Sequence, residues 1–246
     1  MGARAARRAG LVAMVAVVIA LVAGAKAYPA LAAVACPWCY GLERAEERLL
    51  VGAEMPRSIR DGIAGDLASA RKAVAGVLGP TEARPFILAC STNACDRRVG
   101  GHGDRGARAE AFTTPFLAVV RFGPRGLDRT ILEHELAHVT MHEIVGAGAV
   151  MDGRFPAWLN EGLAVIVSND ERYLRPGRTA DERCRIAPEG PLPASPFEWA
   201  PAAGRDPSIY ARSACAALHW LEANRGVPGL LDRLKHAART GGSVTE

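Results

Sequence analysis

The sequence has little net charge and few aromatic residues. Its 246 residues include 30 Lys and Arg against 26 Asp and Glu, which gives a formal net charge of +4. An excess this small gives no case for nucleic-acid binding, which relies on clustered basic residues. Aromatic residues make up only 6% of the chain, but hydrophobic residues make up 49%. This composition argues against an intrinsically disordered chain, and the length predicts one domain of about 200 residues behind an N-terminal segment.

A long apolar run is also missing. The longest, residues 10–25, is shorter than a membrane-spanning helix, which needs about 20 apolar residues. It follows three arginines, and residues 25–27 form a small-residue cleavage site. Residues 1–27 are therefore predicted to be a signal peptide or, with their flanks, an N-terminal membrane anchor. Either role places residues 28–246, with a linker at about 28–41, outside the cytoplasm, in the periplasm, in the cell envelope or secreted.

Six cysteines lie beyond that segment, an even number that indicates disulfides in an exported protein. The simplest pairing joins neighbours in sequence, which gives Cys36–Cys39, Cys90–Cys95 and Cys184–Cys215. The sequence leaves the other pairings open. A zinc site made by the first four cysteines is an alternative.

Cys36-Pro37-Trp38-Cys39 resembles the redox motif of thioredoxin-like proteins. That motif follows a β-strand within a βαβ unit, whereas an Ala-rich segment precedes it here. A structural disulfide is therefore the preferred interpretation. A thiol–disulfide redox protein acting through Cys36 and Cys39 stays as an alternative function.

The motif around which the chain is organised is His134-Glu135-Leu136-Ala137-His138. Residues i and i+4 of an α-helix lie on the same face, so His134 and His138 can both bind one metal ion. Glu135 lies one position along and can hydrogen-bond a water at the edge of that ion. This arrangement is typical of zinc hydrolases, in which a carboxylate takes the proton of a water molecule.

A catalytic zinc site needs a third protein ligand. His142 continues the i+4 series, but eight residues rise about 12 Å along a helix. His134 and His142 therefore cannot share an ion whose bonds are about 2 Å long. Glu161 is the better candidate, because it lies in the apolar run 157–167, which Pro156 opens as a predicted buried helix. A carboxylate there is costly unless it is paired or binds a metal.

Apolar periodicity and turn residues predict the remaining elements. The predicted helices are 42–51, 58–78, 130–145, 157–167, 208–223 and 228–238, the strands are 84–89 and 115–122, and the long loops are 90–109 and 170–207. The loop 170–207 is long enough to act as a lid. Helix 130–145 begins with a capping box between Thr130 and Glu133, or alternatively with Asp128 as its cap, and ends at Gly146.

Two of these segments together resemble the gluzincin metallopeptidases, in particular the peptidase MA-like domains with their Pro-x-Trp-Leu-x-Glu-Gly-Leu-Ala signature. The matching residues are His134-Glu135-x-x-His138 and Pro156-Ala157-Trp158-Leu159-Asn160-Glu161-Gly162-Leu163-Ala164. The resemblance covers residues 115–168. It implies an α+β, zincin-like domain with a small mixed sheet, an active-site helix and a largely helical C-terminal part. It also implies Zn²⁺ bound by His134, His138 and Glu161, with Glu135 as general base.

The resemblance further implies a peptide or protein substrate. In zincins an extended peptide adds to an edge strand of the sheet, and the strand before the metal-binding helix places that edge at residues 116–121. The function expected from these residues is zinc-dependent peptide-bond hydrolysis. A catalytically silent zinc domain that binds peptides or proteins is the first alternative.

Two more residue roles come from the same resemblance. A tyrosine opens the equivalent helix in peptidase MA-like domains, and Tyr210 stands at that place here. In related aminopeptidases a tyrosine stabilises the oxyanion, so the resemblance implies this role for Tyr210; a buried core tyrosine is the competing interpretation. Val165 stands where thermolysin-like enzymes carry an Asp that orients the first His ligand. Asn169 or Asp170 is the predicted substitute.

Overall fold

The chain forms a mixed α+β structure around a five-stranded sheet. A computed structural model describes the backbone of residues 2–246 and the side chains of residues 13–20 and 22–246. The strands are β1 (Leu42–Glu46), β2 (Leu49–Gly52), β3 (Phe86–Ala89), β4 (Ala109–Thr113) and β5 (Ala118–Phe122). The helices are α1 (Gly2–Ala27), α2 (Pro29–Ala35), α3 (Arg57–Leu78), α4 (Asn93–Arg98), α5 (Arg129–Val145), α6 (Ala147–Met151), α7 (Ala157–Val167), α8 (Ala180–Arg183), α9 (Pro196–Arg205), α10 (Ile209–Ala223) and α11 (Gly226–Thr240).

The sheet has the strand order β1-β2-β3-β5-β4. Its three inner strands are parallel, and each outer strand is antiparallel to its neighbour. The strand before α5 is therefore an inner strand, and the prediction of an edge at residues 116–121 is wrong. The edge is β4, because the chain turns back at Thr114, whose backbone N–H donates to Leu117 O over 2.9 Å. That turn places residues 109–113 along the outside of β5, although the predicted loop ended at residue 109 and no strand was predicted there.

Residues 42–51 form the hairpin of β1 and β2, so the helix predicted there is wrong. The side chains of Leu49, Leu50 and Val51 are all buried, the middle one on the opposite face of the sheet from the other two. A strand covered on both faces reads as a continuous apolar run without alternation. Together with the charged residues of β1, this apolar run resembles the pattern of an amphipathic helix, and this resemblance explains the wrong prediction.

The segment predicted as a linker is ordered. Helix α2 lies on one face of the sheet and buries Ala30 and Ala33 beside Leu50, Leu88 and Val119. A short 3₁₀ turn then leads into β1. Among residues 13–246, no single helix is both long and apolar enough to cross a membrane. The bent pair formed by residues 13–27 of α1 and by α2, at 116° to each other, reaches that length and composition only together.

The other face of the sheet carries the main hydrophobic core, which α3, α5, α7, α10 and α11 complete. Every residue of α5 from Ile131 to His142 is buried. Asp128 caps this helix by accepting a hydrogen bond from Ile131 N over 3.0 Å. Glu133 pairs with Arg129 instead of closing a capping box, so the alternative cap is confirmed and the Thr130 box is wrong. Gly146 ends the helix with a φ of 85°, a conformation that favours glycine.

Most other helix predictions agree with the structure. The predicted helix 157–167 has the bounds of α7, and those at 58–78, 208–223 and 228–238 match α3, α10 and α11 within a few residues. The two predicted long loops contain α4 and α9, which were missed. Each begins with a local cap, from the side chain of Thr92 and that of Ser195 respectively.

Three disulfides join Cys36 to Cys39, Cys90 to Cys95 and Cys184 to Cys215. The nearest-neighbour pairing is thereby confirmed, and the zinc site of four cysteines is not formed. Disulfides persist in oxidising compartments, so the three pairs indicate an oxidising environment for the folded chain.

Candidate metal centre

Helices α5 and α7 bring three predicted ligands together. His134 Nε2 lies 3.1 Å from His138 Nε2, and Glu161 Oε2 lies 3.5 Å from the first nitrogen and 3.6 Å from the second. Tetrahedral zinc with bonds of about 2.0–2.1 Å separates its ligand atoms by about 3.3 Å. The three separations fall close to that value. Two imidazoles and a carboxylate are also a ligand set that zinc uses in catalytic sites, so the residues fit a zinc ion.

Glycine 162 sets the position of α7 and hence of Glu161. A Cβ atom at this residue would lie 2.3 Å from the carbonyl oxygen of Ser213 on α10. Only glycine permits so close an approach of the two helices. Gly162 therefore has a packing role of its own, directly after the predicted ligand Glu161.

The ligands form a strongly coupled electrostatic group. Burial alone would lower the pKa of His138, but the Glu161 carboxylate outweighs burial and raises this pKa to about 9. Burial alone would raise the pKa of Glu161, but the charge of His138 and hydrogen bonds from both imidazoles hold it well below its usual range. Both shifts favour positive charge at the position between the ligands, which a bound metal cation would supply.

Asn160 orients the second of the two predicted histidine ligands. Its Oδ1 lies 3.0 Å from His138 Nδ1, so the imidazole donates from Nδ1 and directs Nε2 toward the other ligands. Carbonyl partners of this kind fix the tautomer of metal-binding histidines. Sequence reasoning placed this residue in the motif without giving it a role.

The predicted partners of the first histidine are wrong. Asn169 accepts a hydrogen bond from Arg183, and the buried Asp170 forms an ion pair with the exposed Arg172. In the part of the chain that the structure describes, neither forms a hydrogen bond or ion pair with His134. Val165 is fully buried in a small apolar cluster, which accounts for the absence of an acid at that position.

Glu135 lies beside the ligand cluster on α5. Its side chain is only 7% exposed, and burial raises its pKa, although the positive charges of His134 and His138 oppose that change. Within the described residues, no hydrogen bond or ion pair occupies this carboxylate. It is available to accept a proton from a water molecule at the centre.

Tyr210 lies in an aromatic cluster next to the centre. Its ring stacks on Tyr173 at 5.2 Å and meets the edge of Trp199 at the same distance. Burial raises the pKa of Tyr210 well above its usual value, and the negative charge of Glu161 adds to this effect. The phenol therefore stays protonated, as a hydrogen-bond donor must. Its role in oxyanion stabilisation stays a prediction.

The segment 170–207, predicted to be a lid, packs against the first turn of α7. Ala194 O accepts a hydrogen bond from Ala157 N over 2.7 Å, and Pro193 O accepts one from Trp158 N over 3.0 Å. These bonds satisfy N–H groups that the start of a helix leaves free. The segment thus supports the helix that carries Glu161.

A second group with metal-binding side chains consists of Cys184, Cys215 and His219. The two cysteines are joined as a disulfide, and thiolates rather than disulfide sulfurs are the ligands of zinc. The chemistry of this group therefore does not fit a metal ion. The redox alternative at Cys36 and Cys39 lacks its expected setting, because α2 and not a strand precedes that disulfide.

Comparisons of the chain with protein-family models, with curated proteins and with solved structures found no match. The interpretation of the metal centre therefore depends on its own geometry and chemistry.

Proposed function

We propose that this protein is a zinc-dependent peptidase of the gluzincin type with a zincin-like fold. The observation that carries the proposal is the convergence of His134, His138 and Glu161 at near-tetrahedral spacing, with the unoccupied carboxylate of Glu135 beside them. A metal-binding site without a catalytic role does not need that additional buried acid. The mixed sheet with one antiparallel edge next to the metal-binding helix is compatible with the proposed fold.

Each residue of the site has a separate role in the proposed reaction. A zinc ion held by the three ligands would supply a Lewis acid for the scissile carbonyl and acidify a water molecule. Glu135 accepts the proton of the attacking water and passes it to the departing amine. Tyr210 donates a hydrogen bond to the oxygen that becomes negative during attack.

Peptide binding is proposed at β4, in place of residues 116–121. This strand pairs with β5 on one side, and within the described residues its other side has no strand partner. It also lies beside α5, because Thr113 Oγ1 is 2.9 Å from His142 Nδ1. An extended peptide added to β4 would use main-chain hydrogen bonds for affinity. The three disulfides favour peptides or proteins of the cell envelope or the extracellular space as substrates, and residues 1–27 are proposed to export or anchor the chain.

The test is cleavage of a degenerate peptide library by the wild type and by Glu135→Gln, both with their zinc content measured. We expect zinc in both proteins and cleavage by the wild type, with a loss in the variant of at least the roughly 100-fold that a general base contributes. Cleavage by Glu135→Gln at the wild-type rate would overturn the mechanism. A zinc-loaded wild type that cleaves no peptide would favour the catalytically silent domain.

A further inference from the structure

His142 lies on α5 one turn beyond the second ligand and is buried. It is outside the ligand cluster, as the helix rise predicts, but both of its ring nitrogens have partners. Nε2 lies 3.1 Å from Asn160 Nδ2, and Nδ1 lies 2.9 Å from Thr113 Oγ1. Asn160 in turn contacts His138 through Oδ1. The three contacts form an unbroken chain from β4 to a metal ligand.

The direction of each hydrogen bond in this chain follows from the chemistry of the atoms. An amide nitrogen only donates, so His142 Nε2 accepts from Asn160 and its proton resides on Nδ1. That Nδ1–H then donates to Thr113 Oγ1. At the other end, an amide oxygen only accepts, so His138 donates from Nδ1. The Nε2 atom of His138 is left for the metal.

The opposite orientation of the Asn160 amide would interfere with metal binding by His138. If the Asn160 amide turned by 180°, its Nδ2 would face His138 Nδ1 and would require a lone pair there. A neutral His138 would then carry its proton on Nε2, where it would block metal binding. While the proton of His142 resides on Nδ1, its Nε2 offers only a lone pair and therefore holds the Asn160 amide with Nδ2 toward it.

We infer that His142 is a positioning residue for the metal centre: held by Thr113, it fixes the Asn160 amide and, through that amide, the tautomer and orientation of His138. This inference rests on the proposed zinc site. It gives a reason for an imidazole at a buried position that an apolar side chain would otherwise fill at lower cost.

The first test is the tautomer of His142, measured by ¹⁵N NMR of the imidazole nitrogens in the full-length wild type. We expect a neutral ring protonated at Nδ1. A ring protonated at Nε2 could not accept from Asn160, and that result would overturn the inference. The measurement needs neither zinc nor peptidase activity, so it remains decisive even if the protein cleaves no peptide or binds no zinc.

The second test is zinc affinity, measured by competition with a chelating dye. His142→Leu removes the acceptor for Asn160, and we expect zinc binding to weaken 10- to 100-fold, as roughly found for partners of ligands. His142→Gln should restore most of the affinity, since its Oε1 can accept the same hydrogen bond. Thr113→Val should produce a smaller loss.

Met141→Leu is the matched control, because Met141 is the neighbouring buried residue on α5 and lies outside the chain of hydrogen bonds. It should bind zinc as the wild type does. A folded His142→Leu protein with wild-type affinity, or a Gln variant as weak as the Leu variant, would contradict the positioning role. If His142→Leu does not fold, the zinc affinities of His142→Gln and Thr113→Val, together with the tautomer of His142 in the wild type, still test the positioning role.

Discussion

Two groups of buried ionisable side chains lie on opposite faces of the sheet, and they are satisfied differently. Arg121 on β5 and Asp96 on α4 are each 1% exposed and pair directly with each other. Asp96 also accepts a hydrogen bond from Gly103 N over 2.9 Å. At the metal centre, two imidazole nitrogens and a carboxylate instead point at one shared position. In the first group each charge faces an opposite charge of the protein, although Arg121 Nε has no hydrogen-bond partner. In the second group a cation at the shared position would supply the missing positive charge.

The two groups differ in whether the buried charges serve the fold or would serve a bound ligand. A buried ion pair with its own counter-charge need not have any role beyond the fold. In a cluster whose lone pairs converge on one position, the lone pairs repel one another unless a proton or a cation lies there. The Arg121–Asp96 pair ties the segment after α4 to the sheet.

Breaking the Arg121–Asp96 ion pair should give the largest change in stability. Arg121→Met leaves Asp96 buried without a counter-charge, so we expect the free energy of unfolding to fall by about 3–5 kcal/mol. Urea denaturation followed by circular dichroism measures this change. Adding Asp96→Asn removes the orphan charge and keeps an acceptor for Gly103 N, so the double variant should recover roughly half of the loss. A double variant that is less stable than Arg121→Met would contradict this account of the pair.

A smaller effect is expected where α7 and α10 approach each other. Gly162→Ala places a methyl group against Ser213 O, and overpacking of this kind costs about 1–3 kcal/mol. Because the strain shifts the helix that carries Glu161, zinc affinity should fall with stability.

Gly76→Ala in α3 is the matched control for that variant. A Cβ atom there meets nothing within 4 Å, and alanine is favoured over glycine in a helix by about 1 kcal/mol. This variant should therefore be slightly stabilised in urea denaturation, with unchanged zinc affinity. Equal behaviour of the two glycine variants would show that close packing does not position α7.

The helices that carry the metal centre could be predicted from sequence, because their information is local. The i, i+4 spacing of His134 and His138 and the apolar run of α7 each specify a face of a helix without reference to the rest of the chain. The sheet could be predicted only in part. The parallel neighbour of β2 is β3, which is distant in sequence, and short strands have no period long enough to compete with a false helical pattern.

Other parts of the fold had local signals that went unused or gave the wrong answer. Ser195 and Glu198 form a capping box that opens α9, and this spacing is visible in the sequence. The Thr130–Glu133 spacing is equally visible, but Asp128 caps the helix by accepting the hydrogen bond from Ile131 N. Glu133 instead forms an ion pair with Arg129. The role of His142 was missed because its spacing was considered only for metal binding.

The central claim is that Glu161 completes a three-ligand zinc site with His134 and His138. The most direct test is the zinc content of the purified protein, wild type beside Glu161→Ala, after dialysis against a weak chelator. We expect one zinc per wild-type chain and a strong reduction in the variant, because two histidines alone hold zinc weakly. Zinc retained at the wild-type level by Glu161→Ala would contradict the account and remove the gluzincin assignment with it.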